Sequence, residues 1–561
     1  MLDATPAVPP SPEVEAAHAA DAAREPESSE PTPLRKRLRW PFFTAFLVEL
    51  VLVLGDRIPS VDSMSYFETG RNFVNGRGYT RSGGPEMHFP PIAPVSFGLL
   101  EKAFGNQMYA LRTWELFWSL AAVGVLTAVA WFISRDDDTV VATAWIAVTV
   151  PGVITLAIRA GSGSELPVVV MLLASGLLTL LAVDRTSDRS QAKRLGLLAG
   201  SGALVGMAYL TRPEALMPGA VIGLAVVLFA LRDPDKTWGQ RFGLLVRNGA
   251  AFGFAALLFV APYVNYTHSN SGSWSLTSKT KDASIDAWRA VAQDDRLERD
   301  QILYSIQPDG VSLGPETVSL TAIAREHPRN WLTIAWINTT TIFGDYLGRP
   351  WDTGPTWELI PLFLTVPAIW QMWRTRRKGS TLLFVGLGAA PLATCFLFFA
   401  LPRYLMMTTA VLIPFGAWGL VNWTNRLTLG KRRLAWWSMG ALMVLSLIVA
   451  SWNLLPGSGT AERTEQRTAG QWLAENTPED ARVMTRSFHV QGYSERDVVA
   501  MPSAEYRAML EFARRMGVSY IVADENTIKR RRPEVYDILM RETGAPAGAS
   551  SCTSSPSAAP G

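Results

Sequence analysis

The feature that most constrains this chain is a recurrence of long apolar blocks that are almost free of charge, such as residues 221–230, 250–262, 382–400 and 439–455. Runs of this kind approach the ~20 residues that a helix needs to cross a hydrocarbon core. A water-soluble core has no use for so many, and lipid is the solvent that accounts for them. Composition agrees, with 48% hydrophobic and 18% charged residues among 561. The net charge of +3 is too small to indicate a nucleic-acid partner. The two cysteines, Cys395 and Cys552, furnish neither a disulfide framework nor a zinc cluster.

Residues 1–36 are rich in Ala, Pro, Ser and Glu, show no cleavable signal and read as a disordered cytoplasmic tail. A first span at 38–58 follows the basic cluster Arg35, Lys36 and Arg37, which holds the N-terminus inside. Further apolar blocks lie at 112–133, 140–158, 166–183, 195–211, 215–231, 243–265, 357–373, 380–400, 405–423 and 434–455, for about eleven spans in all. Residues 329–348 are a candidate extra span or re-entrant helix. Alternate loops collect the basic residues: Arg185, Arg189, Lys193 and Arg194 in one, Arg232, Lys236, Arg241 and Arg247 in another, Arg374, Arg376, Arg377 and Lys378 in a third. The opposite loops hold Arg159, Arg212 and Arg403 almost alone, so they face outward. The expected organisation is a transmembrane domain over 37–456 with outer loops at 56–111 and 266–356. A small extracytoplasmic α/β domain follows over 457–543, where helix-like 461–476 and 503–516 alternate with strand-like 481–485, 497–501 and 518–523. Residues 544–561 form a disordered Gly, Ala, Ser and Pro tail.

The most informative polar stretch runs from Ser60 to Tyr79. Met64, Phe67 and Val74 recur at helical spacing, which predicts a short helix at the outer membrane surface, ended by Asn75 and Gly76. Ser65 and Glu68 form a capping-box pattern, and Asp62 just before it either helps cap the helix or faces solvent or the bilayer boundary. His88 lies in a proline-ordered segment and either donates to an anion or is structural. Glu49 and Glu115 fall within spans, where an ionisable group needs a partner or a cavity.

The order of these motifs carries a resemblance. An aspartate soon after the first span, the turn Gly76-Arg77-Gly78-Tyr79, "HFPPIAP" at 88–94, "LTRPEAL" at 210–216 and "PRYLMMTTAVLIPF" at 402–415 resemble the bacterial branch of the dolichyl-phosphate-mannose protein mannosyltransferase family. That family includes the aminoarabinose transferase acting on lipid A, and its members are GT-C fold membrane glycosyltransferases. "AGQWLAENTPEDARVMTR" at 469–486 and "ARRMGVSYIVADE" at 513–525 are similar, more loosely, to the outer domain of some members.

The resemblance implies transfer of a mannose- or arabinose-like sugar from a polyprenyl-phosphate carrier to an extracytoplasmic acceptor hydroxyl on a glycan, lipid or protein. It implies a multi-pass protein of a bacterial plasma membrane, in contact with membrane lipids and with no nucleic-acid partner. Asp62 matches the family's first-loop aspartate, the expected base in an inverting single displacement. Arg212 and Arg403, at outer helix ends, are the candidates for binding the donor phosphate, with hydrogen bonds from Tyr404 and His88. The alternative for both arginines is snorkelling to headgroups. Tyr66, Arg159, Lys279 and Lys281 are weaker substrate-binding candidates, the lysines also reading as a solvated loop. A divalent metal is conceivable at such a site, but Ser63 follows Asp62 where a second carboxylate would be needed, so no cofactor is assigned. The rival readings are a lipid-linked sugar flippase or transporter, which predicts repeated halves, and a membrane-anchored scaffold.

Overall fold

The computed structural model describes residues 32–54, 59–81, 84–149, 163–184, 189–233, 235–277, 304–307, 310–311, 325, 328–347, 362–397, 402–452 and 461–541. The chain is mostly helical. The helices relevant to the site are α1 Leu34–Leu54, α2 Val61–Val74, α3 Ile92–Phe104, α4 Gln107–Ser134, α5 Asp137–Thr149, α6 Glu165–Val183, α7 Gln191–Thr211, α8 Leu216–Leu231 and α9 Trp238–Ser271. They are followed by α10 Pro328–Leu347, α11 Leu362–Arg374, α12 Gly379–Leu397, α13 Met406–Thr424 and α14 Leu429–Trp452. A helix lies at each of the eleven apolar blocks, and α10 occupies the place of the candidate extra span. Among the described residues, seven helical segments are long and apolar enough to cross a membrane. The protein is a multi-span α-helical membrane protein.

Small residues set the helix spacing, as expected where lipid offers no hydrophobic drive to associate helices. A Cβ on Gly202 would lie 2.0 Å from the Phe252 carbonyl oxygen, so α7 and α9 touch backbone to backbone. Hydroxyls add polar contacts between α6 and α7: the Ser201 hydroxyl lies 2.7 Å from that of Ser175 and 2.8 Å from that of Thr179.

Helix α2 carries the polar motif. Ser60 is its N-cap and accepts from the Ser63 amide at 3.3 Å. The capping box predicted from Ser65 and Glu68 does not form. Ser65 lies inside the helix, and its hydroxyl donates back to the Val61 carbonyl at 3.2 Å. The cap therefore sits five residues earlier than the pattern indicates, which places Asp62 in the first turn. Asn75 is the C-cap and Gly76 follows at φ 76°, as the sequence predicts. Residues 63–70 are all buried, so α2 is an internal element rather than one floating on a lipid surface. Its partner is α3: a Cβ on Gly70 would meet the Pro94 carbonyl oxygen at 2.0 Å, and one on Gly98 would meet the Gly70 oxygen at 2.3 Å.

Residues 461–541 form an α/β unit. Strands β1 Arg482–Thr485, β2 Asp497–Ala500 and β3 Tyr520–Val522 pair in parallel with β1 in the centre. Parallel neighbours need crossovers, which helices α16 Phe488–Ser494 and α17 Tyr506–Arg515 provide, after the leading helix α15 Ala461–Asn476. This unit rests on α2. His489 Nε2 lies 2.9 Å from the Pro59 carbonyl oxygen, the Gln107 amide donates to the Gly492 oxygen at 2.8 Å, and the Gln491 amide donates to Glu68. Gly492 is required there, since a Cβ would overlap the Met64 sulfur.

Candidate active site

Four elements bring charge to one end of the helical bundle. The first turn of α2 supplies Asp62, the first turn of α6 supplies Glu165, the C-cap of α7 is Arg212, and a 3-10 turn at Pro402–Leu405 supplies Arg403 and Tyr404. Each polar residue sits where a helix starts or stops, because the helix interiors are given over to apolar packing.

These side chains form a continuous chain of ion pairs. Arg403 Nη1 donates to Asp62 Oδ2 at 3.0 Å and lies 3.5 Å from Glu165 Oε1. Arg212 Nη1 donates to the same Glu165 oxygen at 2.5 Å and to Ser164 Oγ at 3.0 Å, while its Nη2 lies 3.4 Å from Glu214. The Tyr66 hydroxyl donates to Ser164 Oγ at 3.0 Å. Burial of Tyr66 raises its phenol far above the ordinary range, and the charge of Asp62 adds to the effect, so it remains a neutral donor. Both guanidiniums also approach the Tyr404 ring, with the Arg212 Cζ 5.4 Å and the Arg403 Cζ 5.7 Å from its centroid.

The two arginines differ in access. The Arg212 side chain is 5% exposed and surrounded by acceptors, whereas that of Arg403 is 24% exposed and Asp62 is 23% exposed. Arg212 is therefore an internal organiser that holds Glu165, and Arg403 with Asp62 forms the accessible edge.

Comparison with known proteins yields no matching family model, and no curated protein matches the sequence. Solved structures do match. ArnT from Cupriavidus metallidurans bound to undecaprenyl phosphate superimposes with TM-score 0.54 at 14% identity, over 86% of this chain and 89% of that one. The oligosaccharyltransferase of Archaeoglobus fulgidus in the apo form gives TM-score 0.54 at 13% identity, over 87% of this chain and 70% of that one. The same enzyme tethered to an acceptor peptide containing the NVT sequon gives 0.52 at 13% identity, over 87% and 69%. The chain has the GT-C fold.

Within this GT-C frame the sequence candidates fall into three groups. Asp62, Tyr66, Arg212, Arg403 and Tyr404 converge. His88 is placed by a neighbouring elbow, in which its backbone amide donates to Glu86 Oε1 at 2.5 Å and its ring packs edge-on against Phe89, whose ring in turn abuts Tyr66 at 4.8 Å. It approaches the cluster through that aromatic pair. Arg159, Lys279 and Lys281 lie outside the described residues.

Sequence reasoning missed Glu165 and Ser164. The available signal was the cost of a carboxylate at the mouth of an apolar block, the same signal that singles out Glu49 and Glu115. Those two are buried in the bundle at 0% and 4% exposure. Glu165 also supplies the second carboxylate that Ser63 does not. It does not pair with Asp62 around an open position, however, because both acids face a single guanidinium nitrogen. A donor set already neutralised by two arginines does not fit a divalent cation.

Proposed function

We propose that the protein is a glycosyltransferase that moves a mannose- or arabinose-like sugar from a polyprenyl-phosphate carrier to an acceptor hydroxyl, with inversion, at the outer face of a bacterial plasma membrane. The observation that carries this reading is the direct Asp62–Arg403 contact, 3.0 Å long and partly open, at one end of a GT-C bundle. One group of the pair can accept a proton and the other can hold a phosphate. The undecaprenyl phosphate named for the ArnT structure supports a lipid carrier, and the peptide named for the oligosaccharyltransferase supports a distinct acceptor. Basic residues crowd the loops at the far ends of α6 to α8, which supports an outward orientation of the site.

The proposed mechanism follows from the pairing. In the free protein Asp62 is held by Arg403. An incoming lipid phosphate is a better partner for the fork of Arg403, whose paired donors match phosphate oxygens, and it draws the guanidinium from the carboxylate. Asp62 is thereby released when the donor arrives. The acceptor oxygen attacks the anomeric carbon from the face opposite the phosphate while its proton passes to the Asp62 carboxylate. As the new carbon–oxygen bond forms, the bond to the phosphate oxygen breaks, and its electron pair leaves with the lipid phosphate. Arg403 stabilises that developing charge. Arg212 reinforces the positive field at a distance and, through Glu165, holds Arg403 in place. Tyr404 offers its π face to both cations, which share the Glu165 carboxylate.

The test is transfer from defined polyprenyl-phosphate sugars by the purified protein, compared with Asp62→Asn. General-base removal is expected to lower kcat by about 10²–10⁴-fold, with donor affinity kept or raised because the phosphate no longer competes with a carboxylate for Arg403. Transfer by Asp62→Asn at the unaltered rate would overturn the mechanism.

A further inference from the structure

The carboxyl ends of parallel strands are where an open α/β sheet ordinarily takes a ligand. In the α/β unit that edge is met from within the chain, by Tyr304 of the outer loop at 266–356. The Ser503 amide, just past β2, donates to the Tyr304 carbonyl oxygen at 2.8 Å. Arg486, which directly follows β1, lies over the Tyr304 ring with its Cζ 3.8 Å from the centroid. Arg532, 0% exposed, approaches the same ring at 5.5 Å, while its Nε and Nη2 donate to the Pro502 and Met501 carbonyl oxygens at 2.7 and 2.8 Å. Two residues on, Ile306 packs against the apolar core that holds Met484, Val499 and Met501. A backbone hydrogen bond, two cations and an aliphatic side chain thus hold one short segment of the loop on the sheet edge.

What this grip controls follows from the place of Arg486. It lies one residue before Ser487, the N-cap of α16, whose hydroxyl accepts from the Val490 amide at 3.4 Å. Its guanidinium also stands 5.4 Å from the Phe488 ring in the first turn. Helix α16 has only seven residues, too few to hold a helix without packing partners, so its place is set by what surrounds it. Helix α15 backs it where Gly470 meets Tyr493, and the Tyr304 grip fixes its start through Arg486. Its remaining contacts go to α2. His489 Nε2 meets the Pro59 carbonyl oxygen at 2.9 Å, directly before the Ser60 cap, and Gln491 donates to Glu68 while Gly492 seats on Met64. The turn of α2 that carries Asp62 lies between these two points of attachment. The Tyr304 hydroxyl is also within electrostatic reach of Arg81, which pairs with Glu86 in the elbow of the first outer loop.

We propose that Tyr304 is a positioning residue for the Asp62 carboxylate. Stacked on Arg486, it fixes the start of α16, and α16 in turn holds the first turns of α2 and the carboxylate they carry. Only the kinetic part of this proposal rests on the sugar-transfer reading of the site.

The test uses the full chain in detergent micelles. Tyr304→Ala should speed amide exchange over residues 61–70 by about five-fold or more. Tyr304→Phe keeps the ring on Arg486 and should stay within about two-fold of the parent, while Arg486→Met removes the cation from the ring and should match Tyr304→Ala. In Gln491→Leu, where α2 is already loosened, adding Tyr304→Ala should raise exchange by no more than about two-fold, because both act through α16. Unaltered exchange over 406–424 shows that the bundle remains folded. With a defined polyprenyl-phosphate sugar, Tyr304→Ala should lower kcat about five-fold or more and change the donor KM by less than about two-fold, since Arg403 comes from the 402–405 turn and not from α2. Tyr304→Phe should restore kcat. Exchange that quickens at Ser503 but not over 61–70, a Phe variant as loose as the Ala variant, or an unaltered kcat in Tyr304→Ala would overturn the proposal. A parent that moves no sugar would count against the sugar-transfer reading alone, and exchange over 61–70 would still decide whether Tyr304 holds α2.

Discussion

Replacing Glu165 with glutamine removes one negative charge from a chain of five ionised groups, Asp62, Arg403, Glu165, Arg212 and Glu214, while preserving shape. The Arg212–Glu165 pair is 5% exposed on both sides at 2.5 Å, and breaking a buried pair on one side typically costs 3–5 kcal/mol. Two features of this site reduce that figure. Arg212 keeps Glu214 at 3.4 Å and Arg403 keeps Asp62 at 3.0 Å, so neither cation is stranded. Glutamine also retains an acceptor for the Arg212 fork. We therefore expect a loss of about 2–3 kcal/mol, toward the lower end of the range for breaking buried pairs. The assay is reversible unfolding in mixed micelles for Glu165→Gln, Arg212→Met and the double variant. Removing both charges should cost less than the sum of the two singles, with a coupling of about 2 kcal/mol, inside the 0.5–3 kcal/mol span seen for contacting residues. Strict additivity would refute the idea that Arg212 is present chiefly to hold Glu165.

Three further outcomes are expected. Gly70→Ala should destabilise the protein by about 2–3 kcal/mol, measured in the same unfolding assay, because its Cβ would lie 2.0 Å from a backbone oxygen that cannot rotate away. Gln491→Leu should strip Glu68 of a buried donor and loosen α2; faster amide exchange over 61–70 would show it, and unaltered exchange would mean that the α/β unit does not brace this helix. Burial raises the Glu101 carboxyl above its usual value of 4.5 although Arg71 lies 2.7 Å away and opposes the shift. Stability from this group is complete below the unfolded value and falls as pH rises through the folded one. Glu101→Gln should therefore be no less stable than the parent at pH 7, and a loss above ~1 kcal/mol would contradict the dominance of burial over pairing.

The helices were legible because their cause is local. A lipid-facing helix must satisfy its backbone within itself and its side chains along its own length, so 166–183 predicts α6 to within a residue, and Gly76 at positive φ ends α2 as the sequence indicates. Asp62, Arg212 and Arg403 were legible as candidates from motif order and from their scarcity on one side. What those residues do to one another was not. Asp62 and Arg403 are 341 positions apart, and Arg212 and Glu165 are 47, so their pairing follows from where helices cross rather than from any pattern along the chain. The same holds for the seat of the α/β unit. Only the tertiary structure places Gly492 over Met64, buries α2 that its amphipathic spacing would leave at a lipid surface, and divides two outwardly equivalent arginines into one enclosed by acceptors and one open at the edge. Sequence by itself determined which segments leave water, because transfer into lipid is decided residue by residue. The electrostatic site was decided by the fold, because ion pairing depends on distance in space, to which separation along the chain is no guide.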